Sequence, residues 1–204
     1  ILLLTLSPFL IHGQDIALFE QVNGRYDFTF VGNTLNSAEN NPTLGYVTGN
    51  SSSATLNFFG STTTAVVKGN LTIVAASATG GTGIFRATSG TGLVTINGNV
   101  TISQGRFQAT STSTGTVIAN GNTTIDANGI LDLSTTGTGG FSQRGTTLTN
   151  NGVLTGTSGS LSFVNFTGSS AQVLAGSGTV LTNIATLNMQ NTAGLTILHT
   201  NPII

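Results

Sequence analysis

Between Asn97 and Leu133 the chain writes one pattern twice. Asn97-Gly98-Asn99-Val100-Thr101-Ile102 returns as Asn120-Gly121-Asn122-Thr123-Thr124-Ile125, 23 residues later. Gly105-Arg106-Phe107-Gln108-Ala109 returns as Gly129-Ile130-Leu131-Asp132-Leu133, 24 residues later. A repeat of this length, rich in β-branched residues and punctuated by Gly and Asn, is the signature of a solenoid in which each unit forms one coil. The repeat therefore predicts an all-β chain, a parallel β-helix of about 23 residues per coil.

Three strands per coil can be followed by their spacing. The first ends at Ile73, Ile102, Ile125 and Leu148, with intervals of 29, 23 and 23 residues. The longer interval predicts an insertion between Ala75 and Gly83, where Thr79-Gly80-Gly81-Thr82-Gly83 reads as a loop. The second strand starts at Gly83, Gly105, Gly129 and Gly152, and the third contains Val94, Val117 and Phe141. Side chains alternate faces along a strand, so Phe85, Phe107, Leu131 and Leu154 share one inward core column. Ala87, Ala109, Leu133 and Gly156 form the next inward column. Stacked in parallel, these strands predict three sheets around a dry interior. Thr123 and Thr146 fall where Leu71 and Val100 point inward, which leaves two alternatives, an imperfect core or a shifted register.

One coil cannot stand alone. Ordering its backbone costs about 1–2 kcal/mol per residue, whereas each inward apolar side chain returns about 1.5–3 kcal/mol. Stacking supplies the remainder, through ladder hydrogen bonds and coverage of both sides of every apolar layer. Asn97 over Asn120 predicts a short amide ladder at one corner.

Upstream of the repeat the composition changes. Ile1 to Ile11 is mostly apolar, too short to span a bilayer, and fits the apolar region of a secretory signal peptide with Gly13 before the cleavage point. In residues 14–53, Tyr26, Phe28 and Phe30 alternate with Asp27, Thr29 and Val31, a strand suited to capping the first coil. Ser37 to Asn50, with Asn40-Asn41-Pro42, reads as a polar loop. The expected division is 1–13 signal-peptide remnant, 14–53 capping segment and 54–204 β-solenoid. The apolar ending Pro202-Ile203-Ile204 carries no polar cap, which makes continuation of the solenoid the expectation.

Charged residues are 5% of the chain and the net charge is −1, so no basic field exists to hold a nucleic acid. No stretch is expected to insert the mature chain in a membrane. With no Cys there is neither a disulfide framework nor a thiolate metal site, and His12 and His199 lie too far apart in sequence to suggest paired ligands. Neither a metal nor a cofactor is expected. Gly80-Gly81-Thr82-Gly83 and Gly137-Thr138-Gly139-Gly140 precede no helix and read as turns rather than phosphate loops. Five Asn-x-Ser/Thr triplets, at Asn50, Asn70, Asn99, Asn122 and Asn165, match the glycosylation pattern, three of them as part of the repeat.

On the outward face of the second strand, Arg86, Gln108, Asp132 and Thr155 stack in order and read as solvated surface groups. Glycoside hydrolysis needs two convergent carboxylates. Asp126 and Asp132, the only acids of the repeat region, sit on either side of the turn at Asn128-Gly129. No catalytic residue is assigned.

The segment Asp15-Ile-Ala-Leu-Phe-Glu-Gln-Val-Asn-Gly-Arg-Tyr-Asp-Phe-Thr-Phe-Val-Gly-Asn-Thr-Leu-Asn36 resembles the mature start of large surface proteins exported by gliding Bacteroidota through type IX secretion. Ser51 to Asn57 is a weaker echo, and Ala171–Val180 with Leu187–Ile197 is similar to tandem coils of long adhesin-like proteins of those bacteria. The resemblance implies export and display at the cell surface, and it carries no catalytic residue. The function expected is a non-catalytic structural or adhesive module that meets glycans or neighbouring cells. The alternative is a fragment of a β-helix polysaccharide lyase or glycoside hydrolase.

Overall fold

The computed structural model describes residues 43–46, 55–59, 64–67, 70–75, 84–88, 90–110, 114–134, 138–156, 162–180, 184 and 186–201. The expected signal peptide, most of the capping segment, His12 and the loop at 76–83 lie outside them. The described residues form a β-solenoid, all strands parallel and without a helix. In chain order the strands are β1 (Thr43–Tyr46), β2 (Thr55–Phe59), β3 (Thr64–Val67), β4 (Leu71–Ala75), β5 (Ile84–Thr88), β6 (Leu93–Ile96), β7 (Val100–Thr110), β8 (Thr116–Ala119) and β9 (Thr123–Ser134). There follow β10 (Gly140–Gln143), β11 (Thr147–Asn150), β12 (Val153–Thr155), β13 (Phe163–Phe166), β14 (Gln172–Gly176), β15 (Thr179–Val180), β16 (Thr186–Met189) and β17 (Leu195–His199).

Period-two sequence becomes period-two burial. In Leu93-Val94-Thr95-Ile96 and Phe163-Val164-Asn165-Phe166 the second and fourth side chains are buried and the others are not. The third-strand column is in register as the spacing predicts: Val94 pairs with Val117, Val117 with Phe141, and Phe141 with Val164. The second-strand column is in register too. Phe85 pairs with Phe107, Phe107 with Leu131, and Leu131 with Leu154. Phe107 and Leu131 are 0% exposed and Leu154 is 1% exposed. Ala87, Ala109 and Leu133 are equally buried beside them.

Three expectations are corrected. The coils hydrogen-bond into two sheets, not three. First and second strands merge in β7 and β9, runs of 11 and 12 residues that bend around the corner without breaking. The register shifts there, between Ile102 and Gln104, and Gly105 takes the bend with φ of +84°. A left-handed backbone is open to Gly at little cost, whereas at Gly129 and Gly152, its counterparts in the next two coils, glycine is needed because a Cβ would meet backbone carbonyls of the neighbouring coil.

The second correction concerns register. Leu148 pairs with Thr123, not with Ile125, and Asn150 takes the place opposite Ile125. From Thr123 to Leu131 is eight residues, but from Leu148 to Leu154 only six. The corner between them is two residues shorter, so constant 23-residue spacing misaligns one strand. A slip of two residues keeps every side chain on its own face. It also puts Leu148, rather than Thr146, in the apolar column with Leu71 and Val100. Of the two alternatives raised by the threonines, the shifted register applies to Thr146, which is exposed, and the imperfect core to Thr123, which is 0% exposed.

Third, the stretch 37–50, expected as a polar loop, contains β1. Thr43–Tyr46 pairs in parallel with β4, so the ladder reaches back ahead of residue 54.

Candidate functional site

The outward face of the second strand brings the four candidate residues into one column. Arg86 pairs with Gln108, Gln108 with Asp132, and Asp132 with Thr155. Ladder pairing sets them one coil apart, close enough for long polar side chains to meet. They do meet. Arg86 Nε donates to Gln108 Oε1 at 2.6 Å, and Gln108 Nε2 donates to Asp132 Oδ2 at 2.9 Å. Arg106, on the same face of β7, lies 3.4 Å from the same carboxylate oxygen.

Solvated surface is not what this column is. Gln108 is 0% exposed and Asp132 2%, while the Arg106 side chain keeps 31% of its surface in water. Taking an ion out of water costs several kcal/mol, and an opposite charge with hydrogen bonds offsets that cost. Here the offset is supplied by the coil before, from Gln108 directly opposite and Arg106 on the diagonal. Arg86 and Asp132 are therefore joined through Gln108, where two isolated exposed charges were expected. Thr155 does not join the chain: its hydroxyl donates to the carbonyl of Gly156 at 3.1 Å. Asp132 Oδ1 and Arg106 Nε have no hydrogen-bond partner.

Nucleophilic or acid–base work needs a group that a substrate can reach. Asp132 is spent on Arg106 and Gln108, and Asp126 sits before the corner on the other side of Asn128-Gly129. Among the described residues no group of three or more His, Cys, Asp or Glu side chains is placed to hold a metal ion. The described residues contain no helix long and apolar enough to cross a membrane, which says nothing of a strand-built barrel.

A second set of polar contacts lines the corners. Asn120 Nδ2 donates to Asn97 Oδ1 at 2.9 Å, the amide ladder expected from sequence, and Arg144 extends it by donating to Asn120 Oδ1 at 3.4 Å. The neighbouring column does more. Asn70 Oδ1 accepts from the Asn99 backbone N–H at 2.7 Å, Asn99 Oδ1 from that of Asn122 at 2.8 Å, and Asn122 Oδ1 from that of Thr147 at 3.0 Å. Each amide oxygen thus closes a backbone donor of the next coil, a group that a sharp corner would otherwise leave unpaired. Asn188 repeats the amide contact on Asn165 at 2.9 Å. Three of the triplet asparagines, Asn70, Asn99 and Asn122, are there as corner pieces.

Sequence reasoning flagged Thr123 inside the solenoid but missed its polar partners. Thr123 donates to Gln143 Oε1 at 2.6 Å, and Gln143 Nε2 donates to the Gly121 carbonyl at 2.8 Å. Gln172, 1% exposed, spans the carbonyls of Gln143 and Gly145 at 2.9 and 2.8 Å, and Asn191 Nδ2 donates to its oxygen at 3.1 Å. A signal existed: Gln143 stands where Ile96 and Ala119 stand in earlier coils. Arg106 also escaped notice, although alternation from Phe107 places it outward.

Comparison with models of known protein families, with curated proteins and with solved structures gives no match.

Proposed function

We propose that this chain is a non-catalytic, exported β-solenoid that serves at the cell surface as a structural and adhesive module. The observation that carries the reading is the way its outward polar groups are used. Arg86, Gln108, Asp132 and Arg106 are bound to one another, and the corner asparagines to the next coil. Side chains committed to coil-to-coil bonds stiffen a rod and leave few groups free for chemistry. Around them the chain offers a neutral surface of Thr, Ser and Asn, with 5% charged residues. Hydroxyls and amides repeated at the ~4.8 Å strand step suit many weak hydrogen bonds to a glycan or to a neighbouring cell's surface. The apolar opening at Ile1–Ile11 and the resemblance over 15–36 support export.

Incubation of the purified chain with plant and algal polysaccharides tests the reading. Retardation on immobilised glycan without new chain ends is the expected result. Release of reducing or unsaturated ends would replace the module with a polysaccharide-degrading enzyme. Export has its own test. A tagged chain on intact cells should be open to added protease, and deletion of residues 1–13 should hide it.

A further inference from the structure

On the outward face of the sheet through β6, β8, β10 and β13, one position breaks the pattern. The column of Leu93, Thr116, Gly140 and Phe163 carries a side chain at every coil but one. At Gly140 the space is taken by the ring of Phe163, whose Cδ2, Cε2 and Cζ lie where a Cβ would be. The ring therefore leans across the strand before its own and rests over a glycine that leaves room for it. Phe141 and Phe166, turned inward, are 0% exposed, whereas Phe163 keeps part of its surface in water. It is an aromatic platform in the middle of a sheet face, flanked by coils on both sides.

The polar group beside it is uncommitted. Asn165 lies two residues along β13 on the same face, about 7 Å away at the strand's rise per residue. Its Oδ1 accepts from Asn188 Nδ2 at 2.9 Å, and among the described residues its own NH2 group has no partner. An amide nitrogen carries two donors, so both are left for a ligand or water. The Arg86–Gln108–Asp132 column differs, because there the side chains are bonded to one another.

A partly exposed ring with free donors one residue pair away selects its ligand. A pyranose has one face of C–H bonds, slightly positive, which suits the negative face of an aromatic ring, and a rim of hydroxyl oxygens for the amide. A purely apolar partner would cover the Asn165 NH2 without bonding it. An acidic sugar would bring a charge that nothing on the face answers, since β6, β8, β10 and β13 contain no Lys or Arg.

We propose that Phe163, seated over Gly140, is the stacking platform of a binding site for a neutral hexose unit of a glycan, with the Asn165 NH2 group donating to its hydroxyls. This site rests on the reading of the chain as an adhesive module and names where that module grips.

The test runs the full chain through native gels that hold a dissolved neutral β-glucan, mannan or galactan, and in parallel polygalacturonate. Retardation is expected on at least one neutral polymer and not on the acidic one. Phe163→Ala should weaken it by about fivefold or more, and Phe163→Tyr should hold it within about twofold, because the ring face survives. Gly140→Ala puts a methyl group where the ring rests; the ring can swing away and the sheet cannot, so retardation should fall with the circular dichroism unchanged. Asn165→Asp keeps an acceptor for Asn188, removes the free donors, and should weaken retardation as well. Should Gly140→Ala lose structure, the two Phe163 variants decide, since that side chain lies outside the core. Retardation untouched in folded Phe163→Ala, or stronger on polygalacturonate, overturns the site and leaves the adhesive reading standing. No retardation of the unaltered chain on any neutral polymer overturns both.

Discussion

Asp132 is held by two unequal partners, and that inequality can be measured. Gln108 is fully buried and donates to it at 2.9 Å, whereas Arg106 is nearly a third exposed and lies at 3.4 Å. Asp132→Ala strands a buried amide and should cost about 1–3 kcal/mol in urea denaturation. Arg106→Ala should cost more than a surface change, because it leaves a buried carboxylate without its cation. If both variants keep the urea midpoint of the unaltered chain, the column contributes nothing to stability. The Thr123–Gln143 pair is a second residue-scale case. Thr123→Val and Gln143→Leu each leave a buried polar group unmatched and should each lose about 1–3 kcal/mol. Together they should lose less than the sum of the two, since the orphaned partner is gone. Additive losses in the double-mutant cycle would mean the contact is not made.

Strands and corners obey different rules. Within a strand the inward residue can be Val, Ile, Leu or Phe, as the third-strand column of Val94, Val117, Phe141 and Val164 does. At corners the coil below comes so close that a side chain has no room. A Cβ on Gly129 would run into the Ile102 carbonyl, and one on Gly152 into the carbonyls of Gly129 and Asp126. Backbone atoms in a stacked ladder cannot give way as a flexible side chain can. Gly129→Ala should therefore lower stability by about 1–3 kcal/mol, as overpacking does. Asn128→Ala, one residue away and exposed, should stay within about 0.5 kcal/mol. Thermal melts of the two variants give the comparison, and equal midpoints would mean that the corner relaxes freely.

In the molecule as a whole, each coil is supported by the coils on either side. A nearest-neighbour stack predicts that stability depends on position. Leu131→Ala, in the middle of the stack at 0% exposure, should cost about 2–5 kcal/mol. Ile197→Ala, at the uncovered end, should cost far less, since little of that side chain is removed from water. Amide hydrogen exchange should follow the same gradient, slowest in β7 and β9 and fastest in β16 and β17. Uniform protection along the stack would contradict it. The lateral polar ladders add stiffness to this arrangement.

Much of this molecule was written in its spacing. The 23-residue repeat, the Phe85–Phe107–Leu131–Leu154 column and the Asn97–Asn120 contact all follow from β alternation and stacking, which are local and periodic rules. Corner length is not periodic. Two residues fewer between Leu148 and Leu154 than between Thr123 and Leu131 moved Asn150 into the core, and only the three-dimensional register reveals it. Burial of the Arg86–Asp132 column was illegible for a similar reason. Alternation tells which way a side chain points, but what lies over it depends on distant segments, and an ionic group chooses between water and a partner only once those segments are in place.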